Sequence, residues 1–175
     1  MADNARGHAM RLLAALVAFL MIFPAAFGEN FVSNKLGFTA DFPAPPVVGE
    51  PQDGSESVTV AVKAEVSGVY TAMVTVESYK QPARVGASDM QAMIKIFAAQ
   101  LDATISDSKP GKIDGYKARF FTYKRSDGNA TGRGIIVVVP AKRPRIYQVF
   151  SMYTPSASED EIAALDRFLA SFHLE

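Results

Sequence analysis

Metal, nucleophile and proton-transfer chemistry draw on a short list of side chains, and this chain has no cysteine and only two histidines, His8 and His173. A zinc site would rest on one imidazole plus carboxylates, an uncommon donor set. A Ser-His-Asp triad would need His173, two residues from the C-terminus, held rigidly beside a serine and an acid. His173 is more simply read as a cation placed at a helix C-terminus. Met90 and Met93 are too few for copper and read as core.

Carboxylate pairs are the remaining route to hydrolysis. Glu159, Asp160 and Glu161 are adjacent, but they stand where a helix N-terminus favours negative charge. Asp107, Asp114 and Asp127 have turn-like neighbours, a setting in which Asp bonds the backbone. Gly132-Arg133-Gly134 precedes a strand, so it is no phosphate loop. Asn129-Ala130-Thr131 matches the glycosylation pattern, which matters only in a host with that machinery. No catalytic residue, metal ligand or cofactor is therefore assigned. A carboxylate-dependent hydrolase of the cell envelope is the alternative reading.

Positive charge is the one chemical signal left. Between Lys112 and Arg145 lie nine basic residues and only two acids, Asp114 and Asp127. Solvated strand tips explain such charge in one reading. In the other, Lys124, Arg125, Arg133, Lys142, Arg143 and Arg145 form a surface for an anionic partner. The aromatics among them, such as Tyr116, Phe121, Tyr123 and Phe150, could stack bases. A sheet with one face under a helix more often explains such interleaving, and no nucleic acid is expected.

The chain opens with Arg6 and Arg11, then the apolar run Leu12 to Phe23 and the small residues Ala26 and Gly28. This is the pattern of a secretory signal peptide at 1–28. A retained membrane anchor is the rival, but about 20 apolar residues are needed to span a bilayer. Translation from Met10 would also give a complete leader. The expected mature chain, 29–175, has 147 residues with 16 Lys plus Arg against 17 Asp plus Glu. It is long enough for one domain with its own core, and no overall field draws it to nucleic acid or membrane. A periplasmic or secreted monomer follows, with no stable membrane insertion after cleavage.

Periodicity places the elements. Leu36–Phe42 alternates as a half-buried strand, and the Pro-rich stretch Pro43 to Ser57 reads as a long exposed loop. Ser57–Val66 and Val69–Tyr79 form a hairpin about Ser67-Gly68. Ser88-x-x-Gln91 reads as a capping box opening a helix with the stripe Met90, Met93, Ile94, Phe97, Ala98, Leu101. After a turn at Lys112–Gly115, Tyr116–Arg125, Arg133–Val139 and Arg145–Tyr153 make a three-strand meander. A second box, Ser158-x-x-Glu161, opens a helix whose stripe Ile162, Leu165, Phe168, Leu169, Phe172 runs to the chain end. The class is α+β: one domain, a mainly antiparallel sheet of hairpin plus meander, packed by two helices.

Gly37-Phe38-x-Ala40-x-Phe42-Pro43, Gly115-Tyr116-x-Ala118, Tyr147 and Leu169-x-Ser171-Phe172 resemble the PsbP-like superfamily. The resemblance spans nearly all of the mature chain and implies an α/β/α sandwich. It also implies a non-enzymatic accessory, assembly or partner-binding domain, and the expected role is binding of a partner protein or small ligand. It carries no catalytic or metal-binding residue onto these positions.

Overall fold

The computed structural model describes residues 28–175. The leader and the alternative start at Met10 fall outside them. In chain order the elements are β1 (Glu29–Ser33), β2 (Phe38–Phe42), β3 (Val47–Val48), β4 (Gln52–Asp53), β5 (Ser57–Val66) and β6 (Tyr70–Tyr79). Helix α1 (Ala87–Gln100), β7 (Ala103–Ile113), β8 (Tyr116–Arg125), β9 (Thr131–Val139), β10 (Arg145–Tyr153), helix α2 (Glu159–Ala170) and β11 (His173–Leu174) follow.

The main sheet is eight-stranded and antiparallel, in the order β3-β5-β6-β10-β9-β8-β7, with β4 also on β5. Its two faces separate two cores. Under α1, Met90, Ile94 and Phe97 meet Phe121, Tyr123, Ile136, Val138 and Ile146. On the other face, α2 and a small sheet of β1, β2 and β11 bring Phe38, Phe42, Leu165, Phe168 and Phe172 onto Val62, Val74, Val137, Tyr147 and Val149. Strand β9 lies between, so Ile135, Ile136, Val137 and Val138 are all buried, as a continuous apolar run requires when both faces are covered. The described residues thus form one α+β domain, an α/β/α sandwich.

Two glycines let α1 sit close. Gly132 and Gly134 are cross-strand partners of Tyr123 and Phe121, and those rings occupy the space that a Cβ on either glycine would fill. Tyr123 is fully buried, donates to the Ser151 carbonyl oxygen at 3.0 Å, and has its phenol pKa pushed up by that burial. Gly134→Ala should therefore destabilise the domain by about 1–3 kcal/mol, since the displaced ring belongs to a packed core. Urea unfolding measures this, and an unchanged midpoint would contradict the placement of Phe121 over β9.

Several sequence expectations need correction. Residues 43–57 are not simply a loop: Val47 and Val48 pair with Lys63 and Val62, and Gln52 and Asp53 with Thr59 and Val58. The meander has four strands, because Ala103–Ile113 pairs along β8. Helix α1 is capped two residues earlier than Ser88: Gly86 is its N-cap, and the Asp89 carboxylate accepts from Gly86 N at 2.7 Å. Helix α2 does begin at the Ser158 box, whose hydroxyl and N–H hold the Glu161 carboxyl below its ordinary pKa. It ends at Ala170, short of the chain end. His173 consequently lies on β11 and not at the helix terminus, with Nδ1 3.3 Å from Asp114.

Candidate functional site

The six candidate cations do not share one surface. Lys124 and Arg125 end β8, whereas Lys142 and Arg143 lie in the connection after β9. Strand β9 has nine residues, so those two groups are separated by roughly 30 Å. That is several times the screening length of about 8 Å at physiological salt. Arg125 pairs with Asp127 at 3.0 Å within its own loop. Arg133 reaches across the α2 face to pair with Asp166. Arg145 donates to the Leu36 carbonyl oxygen at 3.2 Å, beside the Tyr147 hydroxyl, which donates to the same oxygen at 3.0 Å. The last two arginines are engaged in holding elements together.

Two lysines outside the six join Lys142 and Arg143. In an antiparallel meander successive turns fall at alternate ends, so the β7–β8 turn lies with the β9–β10 connection. A cleft of about 320 Å³ joins them, with Lys117 and Gly115 from one and Pro140 from the other, over Met90 and Val138. Lys112 stands directly opposite Lys117 in the β7–β8 register. Both are exposed, as are Lys142 and Arg143, and none of the four makes an ion pair among the described residues. Like charges opposed across a strand pair are destabilising. Two acids stand nearby: Asp114 accepts from Leu174 N at 2.8 Å and faces His173, and Asp89 accepts from Gly86 N at the cleft wall.

The far end mixes paired charges of both signs. There β5 carries Glu65, paired with Lys63, the β8–β9 loop carries Asp127, paired with Arg125, and α2 begins with Glu159, Asp160 and Glu161. Charge is thus mixed at both ends: Glu56, Glu77 and Asp89 gather around Tyr79 at the end that carries Lys142 and Arg143, but among the described residues they form no ion pair with Lys112, Lys117, Lys142 or Arg143.

Hydrolytic chemistry finds little support in the geometry. No group of three or more His, Asp or Glu able to hold a metal occurs among the described residues. Two carboxylates, Asp107 and Asp166, line one open groove of about 430 Å³ with Phe120, Ile135 and Leu169. Asp166 holds the Arg133 guanidinium, and Asp107 is exposed. A general acid is ordinarily placed in an apolar, desolvated setting.

The motif residues prove to be structural. Tyr147 clamps the turn before β2 through the Leu36 oxygen. Ser171 accepts from Asp41 N at 2.8 Å and donates to Phe168 O at 3.0 Å, and the Phe172 ring lies 5.7 Å from that of Phe38. They converge where the small sheet meets the main one.

An antiparallel sheet between one helix and a helix-plus-small-sheet layer is a PsbP-like fold, and one solved structure bears this out. The chain is similar to the solution structure of cyanobacterial PsbP (CyanoP) from Synechocystis sp. PCC 6803, with a TM-score of 0.51 and 15% identity over 88% of this chain and 96% of that one. It also matches a crystal structure from Bacteroides thetaiotaomicron VPI-5482, with a TM-score of 0.38 and 15% identity, over 85% of this chain and 48% of that one. No family model and no curated protein matches the sequence. Identity this low establishes the fold alone, and a fold does not fix a function.

Proposed function

We propose that this chain is an exported, non-catalytic accessory domain that docks an anionic partner, a protein or a ligand of the cell envelope, through four cations at one end of its strands. The observation that carries this reading is the concentration of Lys112, Lys117, Lys142 and Arg143 without acidic partners among the described residues. Edge protection accounts for Lys112 on β7, but not for Lys117 directly opposite it or for Lys142 and Arg143 in the adjoining connection. The PsbP-like fold supports an accessory role, through the resemblance that implies one. Affinity capture from the exported fraction tests the proposal. Retention of the partner should fall steeply as salt rises, because an exposed charged contact is screened. Retention indifferent to salt would contradict it.

Export rests on the leader at 1–28, and the fold is compatible with a cut after Gly28. Strand β1 begins at Glu29, and its pairing with β2 runs from Glu29↔Phe42 to Ser33↔Phe38, so cleavage there leaves the strand whole. Among the described residues no helix is long and apolar enough to cross a membrane. The intact mass of the exported protein should correspond to Glu29–Glu175. A full-length species held in the membrane would overturn the assignment.

A further inference from the structure

A second site lies at the β5 edge of the main sheet, on the face that α2 and the small sheet cover only in part. The segment between β3 and β4 has one residue too many: Val48 pairs with Val62 and Gln52 with Thr59, so Gly49, Glu50 and Pro51 span the place of Val60 and Ala61. Gly49 N still donates to the Ala61 oxygen at 2.7 Å. Pro51 has no N–H to donate, and the extra residue makes the edge bow outward as a bulge does. The bow leaves a cavity of about 400 Å³. This is the size range of small-molecule sites.

Its lining is aliphatic and contains no aromatic ring. Val58, Val60 and Val76 form the floor, Val48 one wall, and Leu36 of the β1–β2 turn the opposite side. Val58 and Val60 are only half-buried, and Val48 is 51% exposed. The single charged side chain of the lining is Lys35, which is exposed and makes no ion pair among the described residues. Ser33 and Ser78 add hydroxyls. An apolar slot with one cation and two hydroxyls complements a molecule with an aliphatic body and an anionic head that accepts hydrogen bonds.

The geometry points to a binding site for an aliphatic carboxylate, its chain along Val48, Val58, Val60 and Val76 and its head at Lys35. This site lies on the opposite face of the main sheet from the cleft at Lys117 and Pro140, and does not depend on it.

Calorimetric titration of the purified protein with dodecanoate, below its micelle concentration, tests the assignment. The expected result is saturable binding of one dodecanoate, with the negative heat-capacity change of apolar burial. Val48→Trp, at an exposed position, should fill the slot and abolish binding while the melting temperature is kept. Lys35→Glu should weaken binding roughly tenfold or more, attraction becoming repulsion at a wet mouth. Lys142→Glu with Arg143→Glu should leave it unchanged. Absence of saturable binding, or binding that survives Val48→Trp, overturns the site. Equal affinity for dodecyltrimethylammonium, or indifference to Lys35→Glu, overturns the anionic head.

Discussion

Phe97→Ala is expected to destabilise the domain by roughly 3–5 kcal/mol, the range for emptying a buried aromatic position. Helix α1 buries only Met90, Ile94, Phe97 and Ala98, and Phe97 supplies its one ring. That ring meets Phe121, Tyr123 and Phe150 edge-on, at centroid distances of 5.4, 5.0 and 5.1 Å. Edge-to-face pairs add to the burial energy. The three partners sit on two strands of one sheet, so they cannot close over the void without moving backbone. A loss this large takes a major share of the 5–15 kcal/mol that holds a domain together. The melting temperature should fall on the order of 10 °C. Lys95→Ala, on the exposed side of the same helix, should stay within about 0.5 kcal/mol of the parent. Equal denaturation midpoints for the two variants would contradict the docking of α1 on this face.

The parts of this fold that were legible are those with a strong period. The β5–β6 hairpin, the apolar run of β9 and the stripes of both helices each commit to a buried face, and each formed. Strand β7 was not legible because ATISDSKPGKI carries the chemistry of a protected edge. Pro110, Lys109 and Lys112 deter pairing with another chain and also imitate a loop. A bulge between Ile105 and Asp107 further breaks its alternation. Strands β3, β4 and β11 have two residues each, too short for any period. The cap of α1 was displaced because Ser88 and Asp89 both suit a helix start. The Asp89 carboxylate on Gly86 N places Ser88 inside the first turn.

The basic segment shows why chain order misleads about surfaces. Nine cations between Lys112 and Arg145 look continuous in sequence, yet a meander sends alternate turns to opposite ends. The turn at Asp114-Gly115 and the connection Pro140–Pro144 share one end, and the loop Ser126–Ala130 lies at the other. That alternation was available from the sequence once three strands were assigned. It would have exchanged Lys124 and Arg125 for Lys112 and Lys117. The roles of Arg133 and Arg145 were not available, because their partners, Asp166 and the Leu36 oxygen, are distant in sequence.

Reversing Lys112, Lys117, Lys142 and Arg143 together to Glu is expected to have the larger effect on binding. At about 1 kcal/mol for each exposed contact, four reversals should weaken capture on the order of a thousandfold at low salt. All four side chains are exposed, at strand ends or in a connection, so the melting temperature should be nearly unchanged. Lys124→Glu with Arg125→Glu, at the opposite end of the strands, is the control for position. The most direct test of docking through these four cations is therefore one capture experiment on the exported fraction, run with parent, quadruple and control variants at low salt. The account predicts that the quadruple variant loses the partner while the control and parent retain it. Equal retention by all three, with each variant folded, would contradict it.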